Sequence, residues 1–296
     1  MMALLGFLSA ASVASAEPAP LSTYMDQPRQ APDAVIAYGQ APSQVVELFL
    51  PTGRGSHPVV VLLHGGCYLQ QFQGLPQTGG IARDLARRGF AVWNVEYRRL
   101  GEPGAGYPGT FHDVATAVDR IRQEAPRYRL DTSRVIGLGH SAGGHLALWA
   151  AARHRLPVSS PLHVPDPLSI RAVVSLAGIG DIEAHGEVFS GACGADALAR
   201  MLGTAERKEP YADTSPARLL PSGARVVMIH GVYDHVMPPF TGLAYVRTVR
   251  KTGDRADVIT IPDAGHFDVV VPTTAAWKIV AATVARELKA LGRRGH

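Results

Sequence analysis

The segment Gly139-His140-Ser141-Ala142-Gly143 sets a hydroxyl between two glycines, directly after the apolar run Val135 to Leu138 and directly before a helical pattern that begins at Ala142. A nucleophile on a tight strand-to-helix turn needs small residues two positions before and after it, because side chains there would collide as the backbone reverses. Gly139 and Gly143 meet that need. The helix start behind the turn brings its positive end and the N–H of Ala142 to the negative charge that develops when a serine attacks a carbonyl. As a bare string, Gly-x-Ser-x-Gly does not separate such an elbow from an ordinary glycine-rich turn; the strand before it and the helix after it do.

A second segment, His64-Gly65-Gly66-Cys67-Tyr68, follows the apolar run Val59 to Leu63. Glycines there let the backbone approach a substrate oxygen, so the N–H groups of Gly65, Gly66 and Cys67 are candidates to complete an oxyanion hole with Ala142. Seen alone, the segment also fits a plain Gly-Gly turn. Together the two segments resemble the α/β-hydrolase superfamily, and within it the esterase, lipase and kynurenine-formamidase-like branch, whose oxyanion loop reads His-Gly-Gly-x-Trp. Tyr68 stands where that pattern has Trp. Trp93-Asn94-Val95-Glu96-Tyr97-Arg98-Arg99, Pro108-Gly109-Thr110 and Ser215-Pro216-Ala217 share the resemblance, which runs from about residue 35 to 290.

The resemblance implies a triad in the chain order serine, acid, histidine. The acid is then expected in the loop His230-Gly231-Val232-Tyr233-Asp234-His235-Val236-Met237-Pro238, where Asp234 would fix the tautomer of an imidazole. The imidazole is expected from Pro262-Asp263-Ala264-Gly265-His266-Phe267, with His266 as general base to Ser141. Asp263 and Asp268 lie on the loop of His266 itself and rank below Asp234, with Asp181 as the reserve acid. Among the other histidines, His64 is expected to brace the oxyanion loop, His145 to pack in the core and the His140 side chain to be directed away from the nucleophile. His230 and His235 receive no role. Cys67 lacks an elbow and is expected to offer its backbone N–H.

These groups need a scaffold of strands and helices. Short apolar or β-branched runs at Val45–Leu50, Val59–Leu63, Ala91–Val95, Val135–Leu138, Ala172–Leu176, Val226–Ile229 and Val258–Ile261 alternate with helical patterns at Ile81–Arg88, His112–Glu124, Ala142–Arg153, Thr241–Lys251 and Ala275–Leu291. That alternation predicts an α/β fold with a mostly parallel central sheet and helices on both faces, the α/β-hydrolase fold if the resemblance holds. Pro51, Gly53 and Gly55 after the first strand predict a hairpin-like antiparallel start. Residues 181–221 break the rhythm and read as a small cap insertion, with Ser215-Pro216 as the N-cap of a short helix through Leu220. A single catalytic domain over 17–296 is the expectation.

Composition narrows the classes. Net charge is +4, but acidic and basic residues interleave without a basic stripe, which argues against a nucleic-acid partner. The twelve histidines and two cysteines show no metal-ligand spacing, and no cofactor is implied. Cys67 and Cys193 suit either a reducing compartment or one disulfide in an exported protein. Residues 1–16, apolar and ending in Ala14-Ser15-Ala16, read as a secretory signal, hence a secreted or periplasmic protein, with a cytoplasmic one as the alternative; the run lacks a basic start and is too short for a stable membrane insertion. The expected reaction is serine-mediated hydrolysis of a carboxylic ester on a small acyl substrate. Aryl-formamide hydrolysis and an exported peptidase are the alternatives, and a catalytically silent hydrolase-like binding module is the reading from another class.

Overall fold

Strands that are apolar on both faces must be covered on both faces, and the chain folds accordingly. The computed structural model describes residues 17–292; the segment read as a signal lies outside the described residues. Eight strands form one sheet: β1 (Ala34–Ala37), β2 (Val45–Phe49), β3 (His57–Leu63), β4 (Ala91–Val95), β5 (Leu130–His140), β6 (Ala172–Leu176), β7 (Arg225–Gly231) and β8 (Ala256–Ile261). Their spatial order is β1-β2-β4-β3-β5-β6-β7-β8, antiparallel from β1 through β4 and parallel from there on. The hairpin expected after the first strand is therefore absent. β2 does run antiparallel, but its bonded neighbour is β4, in the register Val46 to Val95 and Phe49 to Val92. The crossover from β3 to β4 places β4 between them.

The period-two alternation of side chains splits the interior into two layers. Val59, Val61 and Leu63 of β3 join one core with Phe111 and Val118 of α3 (Gly109–Tyr128), Trp149 of α4 (Ala142–Ala152) and Tyr245 of α7 (Pro239–Lys251). Val60 and Leu62 face the other way, toward Ile81 and Leu85 of α2 (Pro76–Arg87), Trp277 and Val284 of α8 (Ala275–Gly292), and Tyr24 of α1 (Leu21–Met25). Every residue of α4 is buried, which explains why its sequence, AGGHLALWAAA, has no polar face. No helix among the described residues is long and apolar enough to cross a membrane.

Between β6 and β7 the chain forms α5 (Gly186–Cys193), α6 (Ala195–Leu202) and a 3₁₀ turn at Pro216–Leu219. Pro216 occupies the first position of that turn, but the Ser215 side chain makes no capping bond. The Ala217 N–H donates instead to the Gly180 carbonyl, so the exit loop of β6 satisfies the group a capping hydroxyl would have served.

Candidate active site

β5 ends at His140 and α4 begins at Ala142, leaving Ser141 alone in the turn at φ 53° and ψ −119°. That is a rare conformation for a residue with a side chain, and it persists only where the surroundings enforce it. The Ser141 N–H donates to the Leu176 carbonyl at 2.8 Å, and the Ser141 carbonyl accepts the Gly144 N–H at 2.9 Å. A Cβ on Gly143 would overlap the carbonyls of Leu63 and His64, and one on Gly139 would overlap the Gly143 carbonyl. The turn therefore closes only with glycine at both places. Ala142, as the first helical residue, has an N–H that the helix leaves unused.

The loop after β3 presses against this turn. A Cβ built on Gly65 would stand 3.2 Å from Ser141 Cβ, which measures how near the two backbones lie. Gly66, Cys67 and Tyr68 follow with φ of 103°, 53° and 60°, three successive left-handed residues of which two carry side chains. Buried groups hold them there. His64 pairs with two acceptors, its own neighbour's carbonyl at Gly65 (2.8 Å) and Glu96 Oε1 (2.7 Å), and its ring stacks on Tyr97 at 4.2 Å. Glu96 also accepts the N–H groups of Leu75 and Tyr97, both at 3.1 Å. Burial works to raise the Glu96 carboxyl; His64, Arg99 and the Leu75 N–H outweigh it and keep the group below the usual carboxylate range. The Tyr68 hydroxyl donates to His145 Nδ1 at 2.8 Å, and His145 Nε2–H donates to the Thr214 carbonyl at 2.8 Å. The tyrosine at the Trp position thus ties the loop to α4 through a polar link. Cys67 is bonded to Cys193 at the end of α5, with the Cα atoms 5.4 Å apart and a sequence separation of 126. The two cysteines are thus partners of one another.

Asp234 and His266 arrive from the ends of β7 and β8. His266 Nδ1–H donates to Asp234 Oδ2 at 2.9 Å, while Asp234 Oδ1 accepts the N–H groups of Val236 (2.9 Å) and Met237 (2.7 Å). Both carboxylate oxygens are occupied, so the acid cannot rotate away from the imidazole. With Nδ1 donating, Nε2 carries the ring's lone pair. The two loops are stitched together by Val232 N–H to Ile261 O and Tyr233 N–H to Ala264 O, each 2.9 Å. Asp268 instead accepts the Gly265 and Ala19 N–H groups, and Asp181 accepts the Ala184 N–H. His230 supports the acid loop through the Met237 carbonyl at 3.1 Å.

One expectation is overturned. The His140 ring does not point away from the site: it packs on His266 with centroids 4.6 Å apart, bonds the His266 carbonyl through Nε2 at 2.9 Å, and lines the cavity it shares with Ser141. The elbow turns the chain so sharply that the residue before the serine comes to face the loop of His266. Burial, together with the adjacent His266, pushes its basicity well below that of a free imidazole.

Ser141 and His266 share a cavity of about 170 Å³ with Gly66, Cys67 and His140, walled by Leu21, Tyr24, Phe72, Ala192, Val236 and Phe267. The apolar wall residues and Glu96 were assigned no role from sequence. Glu96 sits inside the quoted Trp93–Arg99 stretch, but its importance lies in partners that only the fold supplies. Among the described residues no cluster of His, Cys, Asp and Glu could hold a metal. A hydroxyl on a strained turn, an oriented imidazole–carboxylate pair and unused backbone N–H groups at one cavity are the components of acyl transfer.

A family model described as BD-FAE matches residues 46–244, more than half of the chain, from β2 into α7 and including Ser141 and Asp234. The chain belongs to the BD-FAE family. His266 and the N-terminal wall of the cavity lie outside the matched interval. Esterase B from Lactobacillus rhamnosis, in a complex named for a tributyrin phosphonate, superposes with a TM-score of 0.75 at 19% identity, covering 93% of this chain and 91% of that one. A truncated carbohydrate esterase from gut microbiota gives 0.72 at 21% identity, covering 93% and 100%. These likenesses establish the fold: this BD-FAE member has the α/β-hydrolase fold. A probable isoprenylcysteine alpha-carbonyl methylesterase from Oryza sativa subsp. japonica is 24% identical over 248 residues, 79% of this chain. The chain spans only 56% of that relative's length.

Proposed function

We propose that this BD-FAE member is a serine hydrolase that cleaves carboxylic esters of small acyl groups through Ser141, His266 and Asp234. The observation that carries the reading is the convergence of the strained Ser141 turn and the Asp234-bonded His266 on one small cavity. His266 Nε2 takes the Ser141 proton as Oγ attacks the ester carbonyl, and Asp234 stabilises the imidazolium. The oxyanion is held by N–H groups of the Gly65–Cys67 loop, chiefly Gly66 and Cys67, and by Ala142. His266 then protonates the leaving alkoxide, and a water molecule, deprotonated by the same nitrogen, releases the acid from the acyl-enzyme. The cavity, about 170 Å³, lies below the ~300 Å³ at which drug-sized ligand pockets begin, which favours a short group in it. The names of the relatives, a carbohydrate esterase, an esterase inhibited by a tributyrin phosphonate and a probable methylesterase, agree with an ester as the bond cleaved.

The test is hydrolysis of p-nitrophenyl acetate by the parent and by Ser141→Ala, with the matching acetanilide beside it. The expected result is ester turnover in the parent and a fall of ~10⁴-fold or more in kcat for the variant. Equal rates in the two proteins would remove Ser141 from the mechanism, and faster turnover of the anilide would favour amide chemistry.

A further inference from the structure

The catalytic cavity has a wall that lies outside the segment matched by the family. Leu21 and Tyr24, one helical turn apart on α1, line it alongside Ser141 and His266, although they precede Ser141 by more than a hundred positions. We propose that the N-terminal segment is a specificity-determining wall of this cavity, with Leu21 at its rim and Tyr24 along its side, set against a short apolar part of the ester. The inference rests on the ester reading given above.

A five-residue helix has too few hydrogen bonds to be stable alone, so what holds α1 in place indicates what it is for. Its anchors are parts of the site. The Ala19 N–H donates to Asp268 Oδ2 at 3.0 Å, the same oxygen that accepts Gly265 N–H beside His266. Tyr24 stacks on Phe267 with centroids 5.6 Å apart and meets the His140 ring edge-on at 5.3 Å. The segment continues to Arg29, which pairs with Glu47 on β2, and Gln77 of α2 contacts Met25 Sδ at 3.1 Å. A piece of chain pinned at both ends and packed on the residues adjacent to the nucleophile and the base is positioned as part of the site.

The two residues divide the task by exposure. Tyr24 is 2% exposed and fixes the wall, whereas Leu21 is 41% exposed and stands where a ligand enters. An exposed leucine on its own needs no explanation. This one borders a cavity that also contains the reacting hydroxyl, and its size sets how far an apolar chain can extend past Phe72 and Val236. Leu21 supports no core, so its replacement changes the cavity without endangering the fold.

The experiment uses the full chain with Leu21→Ala and Leu21→Trp, and Ser141→Ala run in parallel. kcat/KM is measured on p-nitrophenyl acetate, butyrate and hexanoate, and on acetates of ethanol, butanol and hexanol, so that either half of the ester is tested. Leu21→Trp is expected to lower the long-to-short ratio about tenfold in one series, and Leu21→Ala to raise it severalfold, since one methylene in an apolar pocket is worth 10-fold or more. Ratios within twofold of the parent in both series, or one common factor across all esters, overturn the inference while leaving the serine mechanism intact. A parent without Ser141-dependent turnover of any ester refutes the ester reading, and this inference with it.

Discussion

Replacing both Cys67 and Cys193 with serine tests how far the covalent link supports the fold. The bridge closes a loop of 126 positions, and in the chain-entropy treatment removing it frees about 16 cal/mol/K in the unfolded ensemble, or ~5 kcal/mol at 25 °C. Compactness of the denatured chain makes that an upper bound. Whole domains are stable by only ~5–15 kcal/mol, so the double variant should lose a large share of its stability. For a domain of this size the loss corresponds to a fall in Tm of ~10–20 °C. Thermal unfolding of the oxidised parent, the reduced parent and the double serine variant gives the comparison, with non-reducing peptide mapping to confirm the Cys67–Cys193 link. The reduced parent and the variant should melt together, well below the oxidised parent. If all three melt within ~2 °C of one another, the loop-closure reasoning fails. If mapping finds free thiols in protein oxidised in air, the pairing itself is wrong.

Two further outcomes are expected. Burial brings His145 down to about 4, whereas an unfolded histidine titrates near 6.5. The unfolded chain therefore takes up the proton first, and the stability tied to neutral His145 is complete above pH ~6.5 and is lost as pH falls to ~4, a change of ~3 kcal/mol. Guanidinium unfolding at pH 7 and pH 4.5 should show a smaller difference for His145→Gln than for the parent; an equal difference refutes the assignment. Glu96→Ala leaves the buried His64 ring and two N–H groups without their acceptor, so it should cost about 3 kcal/mol. It should also slow labelling of Ser141 by a fluorophosphonate, because the Gly65–Tyr68 loop beside Ser141 loses its brace. A variant as stable and as reactive as the parent would show that Glu96 holds nothing in place.

The parallel half of the sheet was legible because its strands, such as Val59–Leu63 and Ala172–Leu176, are apolar at consecutive positions and are followed by helical patterns. The elbow was legible because a turn that tight admits glycine alone at 139 and 143, and backbone overlap enforces this in the structure. β1 escaped notice: it is four residues long, lies at the sheet edge and buries one side chain, so its sequence has almost no period to detect. The expected hairpin failed because turn residues after β2 mark a change of direction and cannot say which strand β2 will pair with. The His140 orientation and the α1 wall depend on contacts spanning more than a hundred residues, with His266 and with Phe267, for which local spacing offers no signal.

Strand order reverses at the middle of the sheet: from β3 the chain moves to one side to form β4, then returns past β3 to form β5 on the other. Connections leaving β3 and β5 diverge, and a crevice opens above the carboxyl ends of these two adjacent strands. The Gly65–Tyr68 loop leaves one and the Ser141 turn leaves the other, so their proximity is inherited from topology and needs no dedicated contact to create it. What surrounds them, a stretch near the N-terminus, the end of α5 and the exits of β7 and β8, is assembled from independent stretches of chain. In the proposed ester hydrolase, substrate range can therefore drift by exchanging rim segments one at a time, while the Ser141 turn stays as the sheet built it.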